Sequence, residues 1–86
     1  MTAYAVESIE SRIAWCRQQK MQSQASPELE RWDAEEEGLR DALLNKDHTN
    51  KYKTSTSAVY ARYMMGLQDG LALIRAAAAN RSKSFG

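Results

Sequence analysis

One stretch of the chain has the composition of an anion site. Lys51-Tyr52-Lys53-Thr54-Ser55-Thr56-Ser57 runs into an apolar helical pattern, and Arg62 follows in its second turn. A helix N-terminus presents free N–H groups and a partial positive charge, which together attract anions. Lys51, Lys53, Thr54 and Ser55 would add phosphate contacts, and Tyr52 offers a ring for a base to stack on. Arg62 opposes the helix dipole, a cost that a bound anion would relieve. The Gly-x-x-x-x-Gly-Lys spacing of a P-loop is absent. The simpler reading of the same residues is a capped helix start behind a solvated linker.

A second cluster is acidic: Glu28, Glu30, Asp33, Glu35, Glu36 and Glu37, with Arg31 the one basic residue among them. Successive helical residues turn by about 100°, so these carboxylates spread around the helix and do not line one side. Glu36 is the exception. It shares an apolar stripe with Trp32 and Leu39, where it would meet Arg17 or Lys20 of a neighbouring helix, or a basic group of a partner. Glu35, Glu36 and Glu37, with Trp15 and Trp32 as aromatic anchors, make a candidate partner-binding surface. The plain alternative is a solvated acidic face.

Catalysis finds little support. Three consecutive glutamates on one helix do not converge on one bond. The single histidine, His48, falls in a polar linker with no evident orienting partner, so a Ser–His–Asp arrangement has no basis. One His and one Cys do not make a zinc site without several carboxylates or a second chain. No enzyme, metal or cofactor is expected. Cys16, on an apolar stripe, reads as a buried inert thiol.

The elements that would carry these residues are helical. One Pro, four Gly and few β-branched residues leave 3.6-residue periodicity dominant. A first helix is predicted over about 3–23, with Val6, Ile9, Ile13 and Cys16 on one stripe. A second spans 27–45, opened by a Ser26 cap and Pro27, weakened at Gly38 and ended at Asn45. A polar linker follows, then a third helix over 57–80. Two adjacent apolar stripes mark this third helix: Tyr60, Met64, Leu67, Leu71, Ile74, Ala78, and Val59, Tyr63, Gly66, Gly70, Leu73, Ala77. Residues 81–86 read as a basic flexible tail. The expected fold is all-α: an antiparallel hairpin of the first two helices, with the long third helix packed across it and a spare apolar face for a second copy. Tyr63, Gly66, Gly70, Leu73 and Ala77 are the candidates for packing between copies, since two glycines one turn apart permit close helix approach.

Length and charge set the outer limits. The 86 residues form one small domain, which would bury only roughly 60–65% of its unfolded surface, so oligomerisation is an attractive source of stability. A lone cysteine allows no internal disulfide and suits a reducing, cytoplasmic setting. The most apolar run, 71–79, is interrupted by Arg75 and falls short of the ~20 residues of a membrane span. The first ten residues carry Glu7 and Glu10 and no Lys or Arg, unlike a secretory signal. Net charge is +1, but residues 1–45 hold five basic against nine acidic residues, and residues 46–86 hold seven against two. This asymmetry favours self-association or two distinct partner surfaces. The function expected is a small protein-interaction module, an adaptor or inhibitor of the kind found among prokaryotic or viral accessory proteins. The alternatives are a nucleotide or nucleic-acid binder using the start of the third helix, and a structural subunit of a larger assembly.

Overall fold

The computed structural model describes residues 8–85, and side chains over 8–79. Four helices follow in order: α1 Ile9–Gln22, α2 Ser26–Leu44, α3 Thr49–Lys53 and α4 Ser57–Phe85. The described residues contain no strand. Residues 3–7 of the predicted first helix, with Val6, lie outside the described residues, as do the side chains of the tail.

Local chemistry sets the helix ends. Ser8 caps α1, its Oγ accepting from the Ser11 N–H at 3.0 Å. The cap of α2 is Ala25, so Ser26 enters the helix and does not cap it. Asn45 ends α2 in the left-handed conformation (φ 58°), and the following Lys46 N–H returns to the Asp41 carbonyl at 2.8 Å. Of the hydroxyl run, Thr56 caps α4 by accepting from the Val59 N–H at 3.3 Å. Three boundaries differ from the sequence reading. The first helix, predicted from residue 3, begins at Ile9, because Ser8 is extended and caps it. The linker contains α3, whose five residues are too few to show a period and which is held by burial of Tyr52. The helix predicted to stop at 80 continues to Phe85, because the alanine run 76–79 favours helix and no Gly or Pro intervenes before Gly86.

The principal interface is α2 against α4, with α1 packed on α2 and α3 on α4. Its contacts are made by small residues. A Cβ on Gly38 would collide with the Tyr63 carbonyl oxygen and lie 2.6 Å from the Leu67 nitrogen. One on Gly66 would collide with the Glu35 carbonyl oxygen, and one on Gly70 would lie 2.7 Å from the Ala42 Cβ. Gly38 and Ala42 on α2 thus face Gly66 and Gly70 on α4, small residues at four-residue spacing on both helices. Backbone meets backbone there. Gly38 therefore serves packing and is not merely a weak point of α2.

Two apolar clusters flank this contact. Ile9, Ile13, Cys16, Leu39 and Ala42 form one, joined by Trp32, Leu73 and Ile74. Ala34, Tyr52, Val59 and Tyr63 form the other, joined by Tyr60 and Met64; Leu67 packs against both. The residues expected to pack between copies thus face inward. Tyr63, Gly66 and Gly70 are buried and Leu73 and Ala77 partly so, because α2 of the same chain takes the glycine ladder. No helix among the described residues is long and apolar enough to cross a membrane.

This packing makes a test. Gly66→Ala should gain up to about 1 kcal/mol of helix propensity but force α4 off Glu35. Overpacking typically costs about 1–3 kcal/mol, and more where the obstacle is backbone. A net loss of about 2 kcal/mol is expected in urea unfolding, whereas Ala76→Gly, at an exposed position of α4, should lose only about 1 kcal/mol.

Candidate functional site

The acidic run of α2 divides its carboxylates among its neighbours. Glu35 is 1% exposed and lies where α1, α2 and α4 meet. Its Oε1 accepts from Arg62 Nη2 at 2.7 Å and Nε at 3.0 Å, and its Oε2 from Arg12 Nη2 at 3.2 Å. Arg12 Nη2 also reaches Asp69 on α4 at 3.2 Å. Glu36, likewise buried, turns toward α1: Arg17 Nε bonds it at 3.0 Å, Lys20 Nζ lies 3.4 Å away, and Arg40 of α2 closes the set at 2.7 Å. Glu37 turns toward α3, accepting from the Tyr52 hydroxyl and from Lys51 Nζ at 3.2 Å. The 100° step that spreads these residues is what lets one helix neutralise three surroundings.

Below Glu37, one turn along α2, Asp41 begins a second cluster. It is 3% exposed, and its Oδ2 accepts from the Tyr63 hydroxyl at 2.6 Å and lies 2.7 Å from His48 Nδ1. His48 Nδ1 is also 3.3 Å from Glu37 Oε2. The turn at Asn45 brings His48 back over α2, and the His48 N–H donates to the Tyr63 hydroxyl at 2.8 Å. Tyr63 therefore donates to Asp41 and accepts from His48. Its ring stacks on Tyr52 at 4.5 Å between centroids. His48, expected to lack an orienting partner, has two carboxylates. A cleft of about 390 Å³ opens beside it, bordered also by Arg40, Leu44, Lys46 and Lys51.

The remaining predicted residues divide as follows. Trp15 and Trp32 meet edge to face at 5.0 Å, and the Arg62 guanidinium lies 4.4 Å over Trp32. Trp15 keeps 42% of its surface exposed, but Glu35 and Glu36 are buried and engaged within the chain, so the five residues do not form one open surface. The proposed anion-binding residues are dispersed too. Lys51 pairs with Glu37, Tyr52 stacks inside the fold, Thr54 donates to the Lys51 carbonyl at 3.0 Å, and Arg62 is held by Glu35; Lys53 and Ser55 are exposed. Arg62 relieves its unfavourable position through Glu35 and needs no external anion for that.

What the sequence reading missed is the His48–Asp41–Glu37 grouping. The four-residue spacing of Glu37 and Asp41 on one helix face was visible; the return of His48 depends on the left-handed turn and on Tyr63. A second unforeseen feature is the outer side of α4. Ala58, Ala61, Met65, Gln68, Ala72, Arg75 and Ala79, spaced alternately by three and four, are all exposed. Both stripes picked from the sequence lie instead toward the protein or along its margins.

Burial and these contacts shift the acidities of the hydroxyls and the thiol. Burial, then the bond to Asp41, pushes the Tyr63 phenol up to about 12. Burial and then Glu37 raise Tyr52 as well. Burial, with the Glu35 carboxylate adding to it, pushes the Cys16 thiol up to about 12, which suits the inert role expected of it. The bond to Asp33 leads the causes that raise Lys20.

Comparison of the chain with protein-family models, with curated proteins and with solved structures finds no match.

Two tests follow from the site. Glu35→Ala leaves Arg12 and Arg62 without their shared carboxylate and should cost about 3 kcal/mol or more in urea unfolding. Glu30→Ala, on the exposed side of α2, should change stability by less than about 0.5 kcal/mol. The second test uses pH. Tyr63 is raised in the folded state, so its contribution to stability is complete below the ordinary phenol value of 10.0 and is lost as pH rises toward about 12. Thermal melts should fall across that window, and Tyr63→Phe, less stable at neutral pH, should fall less steeply.

Proposed function

We propose that this chain is a small non-catalytic interaction module that associates, helix on helix, through the outer side of α4. The observation that carries the proposal is that α4 is apolar on opposite sides. One side packs on α2; the other exposes Ala58, Ala61, Met65, Ala72 and Ala79, interrupted by Gln68 and Arg75, with Leu71 at 38% exposure alongside. The alternating three- and four-residue spacing is that of a helix seam, and its alanines would allow a second helix to approach closely. A second copy of α4 is the partner we favour, because a chain this small gains stability by pairing. Docking onto a helix of a larger protein, as an adaptor or inhibitor would, uses the same seam, as would incorporation into a larger assembly.

The finer architecture belongs to the same reading. The pairs Arg12–Glu35 and Lys20–Asp33 support an antiparallel hairpin of α1 and α2. The pairs of Glu35 with Gly66 and Ala42 with Gly70 support α4 running in the same sense as α2, with α3 in the connection that returns the chain. Such a return leaves the seam along the full open side of the bundle. The nucleotide-binding alternative loses support, since Lys51, Tyr52 and Arg62 have partners within the chain.

Sedimentation velocity over a range of concentrations tests the proposal. The wild type should sediment as a dimer or larger species. Ala61→Glu with Ala72→Glu should give a monomer with unchanged helical circular dichroism. A wild type that remains monomeric throughout would count against self-association.

A further inference from the structure

We propose that Glu37, Asp41 and His48 form a binding site for one divalent transition-metal ion of borderline hardness, with Zn²⁺ the best match. The three residues each present one ligand atom, and these atoms lie within 4.8 Å of one another. The donor set is one imidazole nitrogen and two carboxylate oxygens, which suits Zn²⁺ or Mn²⁺ better than the all-oxygen preference of Mg²⁺ or Ca²⁺. It meets the condition that the composition imposes: with a single His, a metal needs several carboxylates beside it.

Three features separate this corner from an ordinary acidic patch. The first is placement on rigid elements. Glu37 and Asp41 stand one turn apart on α2, and His48 is fixed at its backbone by the Tyr63 hydroxyl. The second is spacing. His48 Nδ1 lies 2.7 Å from Asp41 Oδ2 and 3.3 Å from Glu37 Oε2. Ligands about 2.0–2.2 Å from a tetrahedral ion stand roughly 3.3–3.6 Å apart. Binding would open the 2.7 Å pair and draw together any pair nearer the 4.8 Å limit, with the ion taking the place of the hydrogen bond between His48 and Asp41. The Tyr63 and Tyr52 hydroxyls already donate to the two carboxylates and would hold them as outer-shell partners. The third is charge. The cleft beside the ligand atoms is lined by four carboxylates, Asp33, Glu36, Glu37 and Asp41, against three cations, Arg40, Lys46 and Lys51, of which Lys51 pairs with Glu37. The cleft beside His48 gives an ion an entry path and leaves room for water to complete its coordination. The site is independent of the α4 seam.

Calorimetric titration of the full chain with zinc chloride, with magnesium chloride as comparator, tests the proposal. One Zn²⁺ per chain is expected, with an equal concentration of Mg²⁺ binding at least about tenfold more weakly. His48→Ala and Glu37→Gln should each weaken Zn²⁺ binding by more than about tenfold. Lys51→Ala should tighten it several-fold, because Lys51 competes for Glu37. That exposed substitution, with Glu37→Gln, keeps the test decisive if His48→Ala fails to fold. Absence of saturable binding at one ion per chain would overturn the proposal. So would equal binding of Mg²⁺ and Zn²⁺, or affinities indifferent to Glu37→Gln and Lys51→Ala.

Discussion

Three helices of this protein meet around a carboxylate that water barely reaches. Glu35 is 1% exposed, and a buried charge without partners is among the least tolerable features of a folded chain. Its partners must come from elsewhere in the sequence: Arg12 from α1 and Arg62 from α4. Once those two guanidiniums converge, the relative placement of α1, α2 and α4 is narrowly constrained. Glu36 repeats the device toward α1, and Glu37 with Asp41 repeats it toward α3 and the connection before it. Arg62 and Lys51 carry charge from the basic second half to Glu35 and Glu37 of the acidic first half, while the cations around Glu36 come from the first half itself. The ion pairs act less as a source of stability than as a selector of arrangement, since an alternative packing would leave buried carboxylates unmatched.

Apolar packing then operates within that arrangement. Gly38, Gly66 and Gly70 bring α2 and α4 into backbone contact, which holds the Glu35 carboxylate close to Arg62 and turns Tyr63 inward to Asp41. The glycines and the charges depend on each other. A wider helix spacing would open the buried acids to water, and unpaired acids would oppose the close spacing. The same contact decides what is left outside. With α2 on the glycine side, the alanine-rich seam of α4 remains open, and it is on that seam that the proposed association rests.

The His48 corner illustrates a different dependence. Its parts lie within twelve positions of the sequence, yet their meeting rests on Asn45 in the left-handed conformation and on a hydroxyl from α4 that accepts from the His48 backbone. Tyr63 thus links the packing of α4 to the geometry of the cluster.

The all-helical class, the stripe of Ile9, Ile13 and Cys16, the close approach at Gly66 and Gly70, and the meeting of Glu36 with Arg17 and Lys20 were all legible in the residues. They follow from periodicity, residue size and the need to pair a charge on an apolar stripe, which are local properties of the chain. The short helix α3, the burial of Glu35, the partners of His48 and the side of α4 that stays open were not legible. Each depends on which residues distant in sequence arrive beside one another. A glutamate reads as surface until two arginines arrive to neutralise it, and a linker histidine reads as solvated until a turn and a tyrosine carry it over two acids. Composition and spacing by themselves determined which contacts the chain could make; the tertiary structure decided which were made, because backbone contact at the glycines and pairing of buried charge must be satisfied together.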